Sequence, residues 1–291
     1  MCWKKIYKER LVTAEEAIRA IGDNERVVVA HAAGRPREIL RELVKHSADF
    51  SGVEIFHMLC LGDGDYTREE LQRNFRHNTI FVGANTRKAL EEGRGDFIPC
   101  YFHELPSFFR NGMLPVDVAV VHLSVPDENG YCSFGVSCDY TKPAAEAAKV
   151  VIAEINEWMP RVGGGNFIHV SRLDYIVETT NPLYELPPAR IGDVERAIGR
   201  YCASLVHDGA TLQLGIGAIP DAVLHELKGK INLGIHTEMF SDGIIDLVEA
   251  GVVNGECKTL LPGKMVATFL MGSQRLYDFV DGNPDVELYP V

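Results

Sequence analysis

The sequence predicts an α/β protein of two open sheets flanked by helices, one in residues 1–185 and one in 186–291, the second incomplete. Three observations predict it. Short runs rich in Val, Ile and Leu alternate with stretches whose apolar residues recur at helical spacing. Glycine-bearing loops join the two kinds of segment. A proline-rich window interrupts the alternation, which then restarts.

"TAEEAIRAI" opens with Thr13 as N-cap and Glu16 as its capping-box partner, so a short helix is expected there. "ERVVVAHAAG" reads as a buried strand running into a small-residue loop. "PREILRELVKH" places Pro36 at a first helical turn and apolar residues at 39, 40, 43 and 44, and "VEIFHMLCLG" is a second strand. Strand, loop, helix and strand make a βαβ unit, which is expected to be parallel and right-handed. "NTIFVG" then reads as a strand, "NTRKALEEG" as a helix, and "DFIPCYFHELPSFFRNG" as a strand leading into a helix. "VDVAVVHLSV" is a buried strand. "DENGYCSFGVS" carries Asn-Gly turn chemistry among β-forming residues, which predicts an antiparallel excursion. "TKPAAEAAK" is a helix and "VVIAEIN" a strand.

"NPLYELPPARIGD", with Pro182, Pro187 and Pro188, marks a linker and the boundary between 185 and 186. Beyond it, "IGDVERAIGRYCASLVHDG" is a helix with Ile191, Val194, Ile198, Tyr201 and Leu205 on one face and Gly209 as its stop. "ATLQLGIG", "INLGIHTEM", "KMVATFLMG" and "VELYPV" are strands, separated by the helices "IPDAVLHELKG", "SDGIIDLVEAG" and "SQRLYDFV". The chain stops on the apolar "DVELYPV". A parallel sheet needs both faces covered, so the second unit is expected to be incomplete.

The composition narrows the function. The chain has 291 residues, 46% hydrophobic and 24% charged, within the range of a soluble enzyme. A net charge of −12 disfavours nucleic acid and acidic membrane surfaces as partners, but a local amide-lined site can still hold an anion. Seven cysteines, an odd number without a CxxC pair, indicate neither a disulfide framework nor a zinc ribbon. Reduced thiols and an N-terminus without the apolar core of a signal peptide predict a cytoplasmic protein. No apolar run approaches the length of a membrane span.

Two short stretches carry the chemistry. In "TLQLGIGAIPDAV", Gly215 and Gly217 end a strand and Pro220 starts a helix. Backbone N–H groups at such a turn, with the helix N-terminus behind them, suit an oxyanion or a phosphate. The spacing is not the dinucleotide fingerprint, because Pro220 stands close to where the third glycine belongs. In "GIHTEMFSDG", Glu238 falls at the C-terminal end of the next strand, where open α/β sheets place their ligands. If the two strands pair, 215–217 and 236–238 are neighbours. A carboxylate then faces a ring of N–H donors, which is a nucleophile facing an oxyanion hole. The competing reading, a carboxylate capping the following helix, is weakened because Ser241 and Asp242 already fill that role. His236 carries a structural reading.

Four stretches together resemble the acetyl-CoA hydrolase/transferase family: "GANTRKALEEGRGDFIPCYFHELP", "HLSVPDENGYCSFGVS", "LQLGIGAIPDAV" and "GIHTEMFSDGIIDLVEAGVVNG". They run along the whole chain in order. The resemblance implies a CoA-transferase-like fold and a CoA-transferase activity on short-chain acids such as acetate, butyrate or 4-hydroxybutyrate. It implies Glu238 as the nucleophile that carries a glutamyl-CoA thioester. It places Gly215, Ile216, Gly217 and Ala218 around the thioester and its oxyanion, and Gln213, His31 and Asn85 along the pocket. The partners it implies are acyl-CoA, short-chain carboxylates and a second copy in a homodimer. No resident cofactor or metal is expected, because coenzyme A enters as a substrate. Family members continue past "DVELYPV" into a segment that helps bind CoA. Two other functions fit the same residues: an acyl-CoA hydrolase with this site, and a truncated, non-catalytic acyl-CoA-binding protein. A serine hydrolase fits poorly because "GVSCD" lacks the closing glycine of GxSxG.

Overall fold

A computed structural model describes residues 2–291. Its N-terminal part is a seven-stranded, all-parallel sheet. The strands and helices, in chain order, are α1 (Trp3–Arg10), α2 (Ala14–Ile18), β1 (Arg26–Val29), α3 (Arg37–Lys45), β2 (Val53–Phe56), β3 (Phe75–Thr79), α4 (Arg87–Glu91), β4 (Gly95–Phe97), α5 (Leu105–Arg110), β5 (Val118–Ser124), β6 (Tyr131–Ser133), α6 (Thr141–Ala147), β7 (Val150–Asn156), β8 (Gly163–Gly164), β9 (Phe167–His169) and β10 (Tyr175–Thr179). The sheet order is β10-β7-β5-β1-β2-β3-β4. All seven residues of β5 are buried, as expected of a central strand covered on both faces. One apolar layer, with Ile39, Leu40 and Leu43 of α3, covers one face; another, with Phe56, Phe109 and Tyr140, covers the other.

Thr13 and Glu16 form the expected capping box. The antiparallel excursion is β6 paired with β9, Tyr131 opposite His169. The third strand begins earlier than "NTIFVG" indicates, at Phe75, because its register is set by pairing with β2, Val53 against Phe75. The proline-rich window has no regular structure over 180–192.

The remaining elements are α7 (Asp193–Leu205), β11 (Thr211–Leu212), α8 (Ala218–Glu226), β12 (Gly234–Ile235), β13 (Met239–Phe240), α9 (Gly243–Glu249), β14 (Met265–Ala267), β15 (Phe269–Leu270), α10 (Gln274–Val280) and β16 (Val286–Leu288). Two long strands expected here are each broken in two. "INLGIHTEM" becomes β12 and β13, and "KMVATFLMG" becomes β14 and β15. β11 pairs with β12, and β14 with β16 and then β8. A parallel bridge between His236 and Val266 carries the line across, and β13 pairs separately with β15. The β8 strand is contributed by the part of the chain before the proline-rich window. The core around Phe240, Ile244 and Leu276 likewise includes Ala32, Val136 and Val162 from that part.

Helix α7 departs from its expected orientation. Val194, Tyr201 and Leu205 are 68%, 76% and 77% exposed, while its buried residues are Gly199 and Ala203. The reason is steric. A Cβ at Gly199 would lie 2.7 Å from the Ala222 carbonyl oxygen, so α7 meets α8 through its smallest residues and leaves its apolar stripe outward.

Candidate functional site

The two strand ends do meet. Thr211 pairs with Gly234 and Leu212 with Ile235. Beyond the pairing, Thr237 Oγ1 accepts the Leu214 N–H at 2.9 Å and donates to the Leu214 carbonyl at 2.9 Å. Strand β11 is shorter and more exposed than a buried strand, so this hydroxyl, more than a ladder, joins the loops. The buried ammonium of Lys258 donates to the Ile235 carbonyl at 2.9 Å and to that of Lys264, holding the segment just before Glu238.

Glu238 sits in the bend between β12 and β13, half-buried. It is not at the end of a continuous strand. The bend is held by its own carbonyl, which accepts the Thr268 N–H and Oγ1–H at 3.0 Å and the Phe269 N–H at 3.3 Å. Its side chain makes no hydrogen bond among the described residues. Burial raises its pKa above the usual glutamate value; the neighbouring His31 lowers it and Asp139 raises it. Asp242 does not cap α9 through its side chain, contrary to the expectation from sequence. Its carboxylate instead accepts the Ser273 N–H at 2.8 Å and the Ser273 hydroxyl.

Glu238 opens onto two cavities. One, of about 480 Å³, is lined by Gln213, Gly215, Ile216 and Glu238 together with Met58 and Leu59, just after β2, and Phe81, just after β3. The other, of about 450 Å³, contains Gln213, His236, Glu238, Phe102 and Tyr289. Gln213 lines both. Gly217 is the N-cap of α8 with φ +108°, a conformation that favours glycine, and Ala218 is the first residue of that helix. The helix therefore starts two residues before Pro220. Gly217 and Ile216 also line a third cavity, of about 400 Å³, between α8 and the proline-rich segment.

The expected pocket residues divide. Gln213 is on the cavities. His31 is fully buried and packs its ring on Phe269, with centroids 4.4 Å apart, and on Phe102; it is one side chain behind the cavity walls. Asn85 lines neither cavity around Glu238. Its amide donates to the carbonyls of Cys60, Gly62 and Asp63 at 3.0, 3.3 and 3.3 Å, so it clamps that loop. Sequence reasoning missed Thr237, Lys258, Asp139 and the apolar wall of Met58, Leu59 and Phe81. It also set His236 aside, although two residues along an extended chain return to the same side, and His236 shares a cavity with Glu238. That period of two was the available signal for His236; Met58 and Leu59 offered none. No group of His, Cys, Asp and Glu side chains among the described residues is arranged to hold a metal ion, and no helix is long and apolar enough to cross a membrane.

Comparison with known proteins gives this geometry its context. Residues 1–184 match the acetyl-CoA hydrolase/transferase N-terminal domain. The 4-hydroxybutyrate coenzyme A transferase of Clostridium kluyveri is 61% identical over 291 residues, spanning 100% of this chain and 68% of that protein. The butyryl-CoA:acetate CoA-transferase of Anaerostipes caccae is 32% identical, over 100% of this chain and 67% of its own length. The crystal structure of 4-hydroxybutyrate CoA-transferase from Porphyromonas gingivalis superposes with a TM-score of 0.89 at 44% identity, covering 99% of this chain and 69% of that one.

Proposed function

The chain belongs to the acetyl-CoA hydrolase/transferase family, and on that premise we propose that it moves coenzyme A between an acyl-CoA and a short-chain carboxylate through a glutamyl thioester on Glu238. The observation that carries this reading is the unpartnered, half-buried Glu238 carboxylate lining a cavity with Gln213, Gly215 and Ile216.

The ionised carboxylate attacks the thioester carbonyl carbon. The C–S bond breaks, coenzyme A leaves as thiolate, and the acyl group is held on Glu238 as a mixed anhydride. The thiolate then attacks the glutamyl carbonyl. A new C–S bond forms and the donor acid departs as carboxylate. An acceptor carboxylate attacks the glutamyl thioester and the two steps run in reverse, which gives ping-pong kinetics. Negative charge develops on a carbonyl oxygen in each addition. The Gly215–Ala218 backbone, with the α8 N-terminus behind it, is where donors for that oxygen belong; one such donor contributes about 3 kcal/mol. Burial makes Glu238 more basic than a surface glutamate and strips it of water, both of which favour attack. Coenzyme A is a substrate in this scheme, and no resident cofactor takes part.

The relatives named above differ in their acid, and acetate, butyrate and 4-hydroxybutyrate all suit an apolar wall of Met58, Leu59 and Phe81. A homodimer rests on the family alone. Seven free thiols support a reducing, cytoplasmic setting.

The test is intact-mass and peptide mapping after incubation with butyryl-CoA and no acceptor acid. Added mass on the Glu238 peptide, released by hydroxylamine, is expected. An unmodified Glu238 in the folded protein would remove the nucleophile assignment. Thioester turnover that needs no acceptor acid and ignores added acetate would make the protein a hydrolase.

A further inference from the structure

Fully buried polar nitrogens usually have partners. His31 Nε2 is buried and has none. Its other nitrogen is committed: His31 Nδ1 lies 3.1 Å from Asp139 Oδ2, and both side chains are fully buried. Asp139 is held from every side. Oδ2 also accepts the Ser137 hydroxyl at 3.0 Å, and that hydroxyl oxygen accepts the His31 backbone N–H at 3.1 Å. Oδ1 accepts the N–H groups of Tyr140 and Thr141 at 2.6 and 3.1 Å and the Thr141 hydroxyl at 3.2 Å.

The same residue is tied to the nucleophile from behind. The Asp139 backbone N–H donates to the Thr268 carbonyl at 3.1 Å, and Thr268 in turn donates its N–H to the Glu238 carbonyl at 3.0 Å. Phe269, whose ring supports His31, is the next residue and donates its own N–H to the same carbonyl. Asp139 therefore links the imidazole from the first sheet to the bend that carries Glu238.

We propose that Asp139 is a positioning residue for the transfer reaction: it fixes Nδ1 as the proton-bearing nitrogen of His31 and leaves Nε2 to meet the Glu238 carboxyl group. The role rests on the Glu238 reading above. An ionised carboxylate only accepts hydrogen bonds, so the proton between the pair belongs to Nδ1. Nε2 is without a partner, Glu238 makes no side-chain hydrogen bond, and the Phe102 and Phe269 rings on which His31 packs line the cavities that hold Glu238; the charges of His31 and Asp139 act on Glu238 in opposite directions. When Glu238 turns inward from the cavity, Nε2 is the hydrogen-bonding group that can hold it at the attacking angle.

Asp139→Asn tests this. Two backbone N–H groups point at the Oδ1 position, so the amide oxygen must stay there and the amide NH2 faces His31 Nδ1. The tautomer is then reversed. In the histidine-labelled protein, nitrogen NMR is expected to show His31 Nδ1 protonated in the wild type and unprotonated in the variant. The rate of Glu238 acylation by butyryl-CoA is expected to fall about 10- to 100-fold, the scale of a misplaced reacting group, with KM within about threefold. His31→Gln is expected to lose as much, and the double variant no more than either single one, because the pair acts as a unit. An unprotonated Nδ1 in the wild type overturns the inference. So does a folded Asp139→Asn, or a His31→Gln protein if Asp139→Asn does not fold, that acylates at the wild-type rate. A wild type that forms no adduct on Glu238 removes the transferase reading, and the role of Asp139 with it; the tautomer measurement reports the pairing separately.

Discussion

Glu154 makes the stability of this protein depend on pH in a way that one substitution can isolate. The residue lies in the middle of β7, directly opposite His122 of β5, and is fully buried. Its carboxylate accepts the first N–H groups of α3: Arg37 at 3.2 Å, Glu38 at 2.9 Å and Ile39 at 3.2 Å. Burial raises its pKa, the three N–H donors pull it back, and burial wins, leaving it at about 7 against an ordinary 4.5. The native state therefore holds this proton over a range in which the unfolded chain has lost it. Stabilisation from that proton is fully present below about pH 4.5 and is lost as pH rises through about 7. At about 1.4 kcal/mol per tenfold change, the gap is worth about 3 kcal/mol. Glu154→Gln has no such proton. Urea unfolding of both proteins from about pH 5 to about pH 8 is the assay, and the difference between the two curves is the quantity to follow. Wild-type stability relative to the variant should fall by about 2–3 kcal/mol across that interval and level off above neutrality. The glutamine adds a constant penalty, since its NH2 must face one of the helix N–H groups, but a constant does not change the slope. A flat difference, or one that rises with pH, would refute the assignment of a protonated, helix-capping carboxyl.

Three further outcomes are expected. Glu238→Asp withdraws the carboxylate by about one methylene and should slow acylation about 100-fold while leaving the urea midpoint unchanged; an equal rate would count against a direct attack by this side chain. Because burial raises the Glu238 pKa, the acid limb of kcat/KM in wild-type protein should lie above the ordinary glutamate range, with activity falling as the pH drops through it; a pH–rate profile that stays level down to that range would contradict the buried nucleophile. Gly199→Ala should destabilise by about 1–3 kcal/mol despite a gain in helix propensity, because its Cβ would meet the Ala222 carbonyl oxygen at 2.7 Å, and a thermal melt measures it.

What could be read in the sequence was what local physics decides. The unit β1–loop–α3–β2 follows from apolar runs, a proline and helical spacing. The meeting of 211–217 with 234–238 follows from two strands of like character on either side of one helix. Glu238 stood out because a carboxylate beside apolar runs needs a reason. The break in its strand could not be read, because it is made by Thr237, Thr268 and Lys258 reaching across the fold. Asp139 was hidden in "GVSCDYT", which looks like a turn, and its partner His31 is separated from it by most of the first sheet. The apolar stripe of α7 faces outward, which its spacing does not indicate. An apolar count favours Val194, Tyr201 and Leu205 for burial, but the contact with α8 is decided by how closely two backbones can approach, and Gly199 and Ala203 allow the closest.

The pairing of β8 with β16 bears on how the molecule is made. Gly163 and Gly164 are synthesised early, yet their ladder partners Glu287 and Leu288 emerge only after every other strand described here. During translation, Val162 and Val136 lack Val286 and Phe269, which share their core in the finished fold, so that apolar surface stays open. Closure over such a sequence separation is slow, and the open interval is when self-association competes. A nascent chain arrested before β16 should therefore bind a hydrophobic dye and depend on chaperones, even with its large sheet already formed.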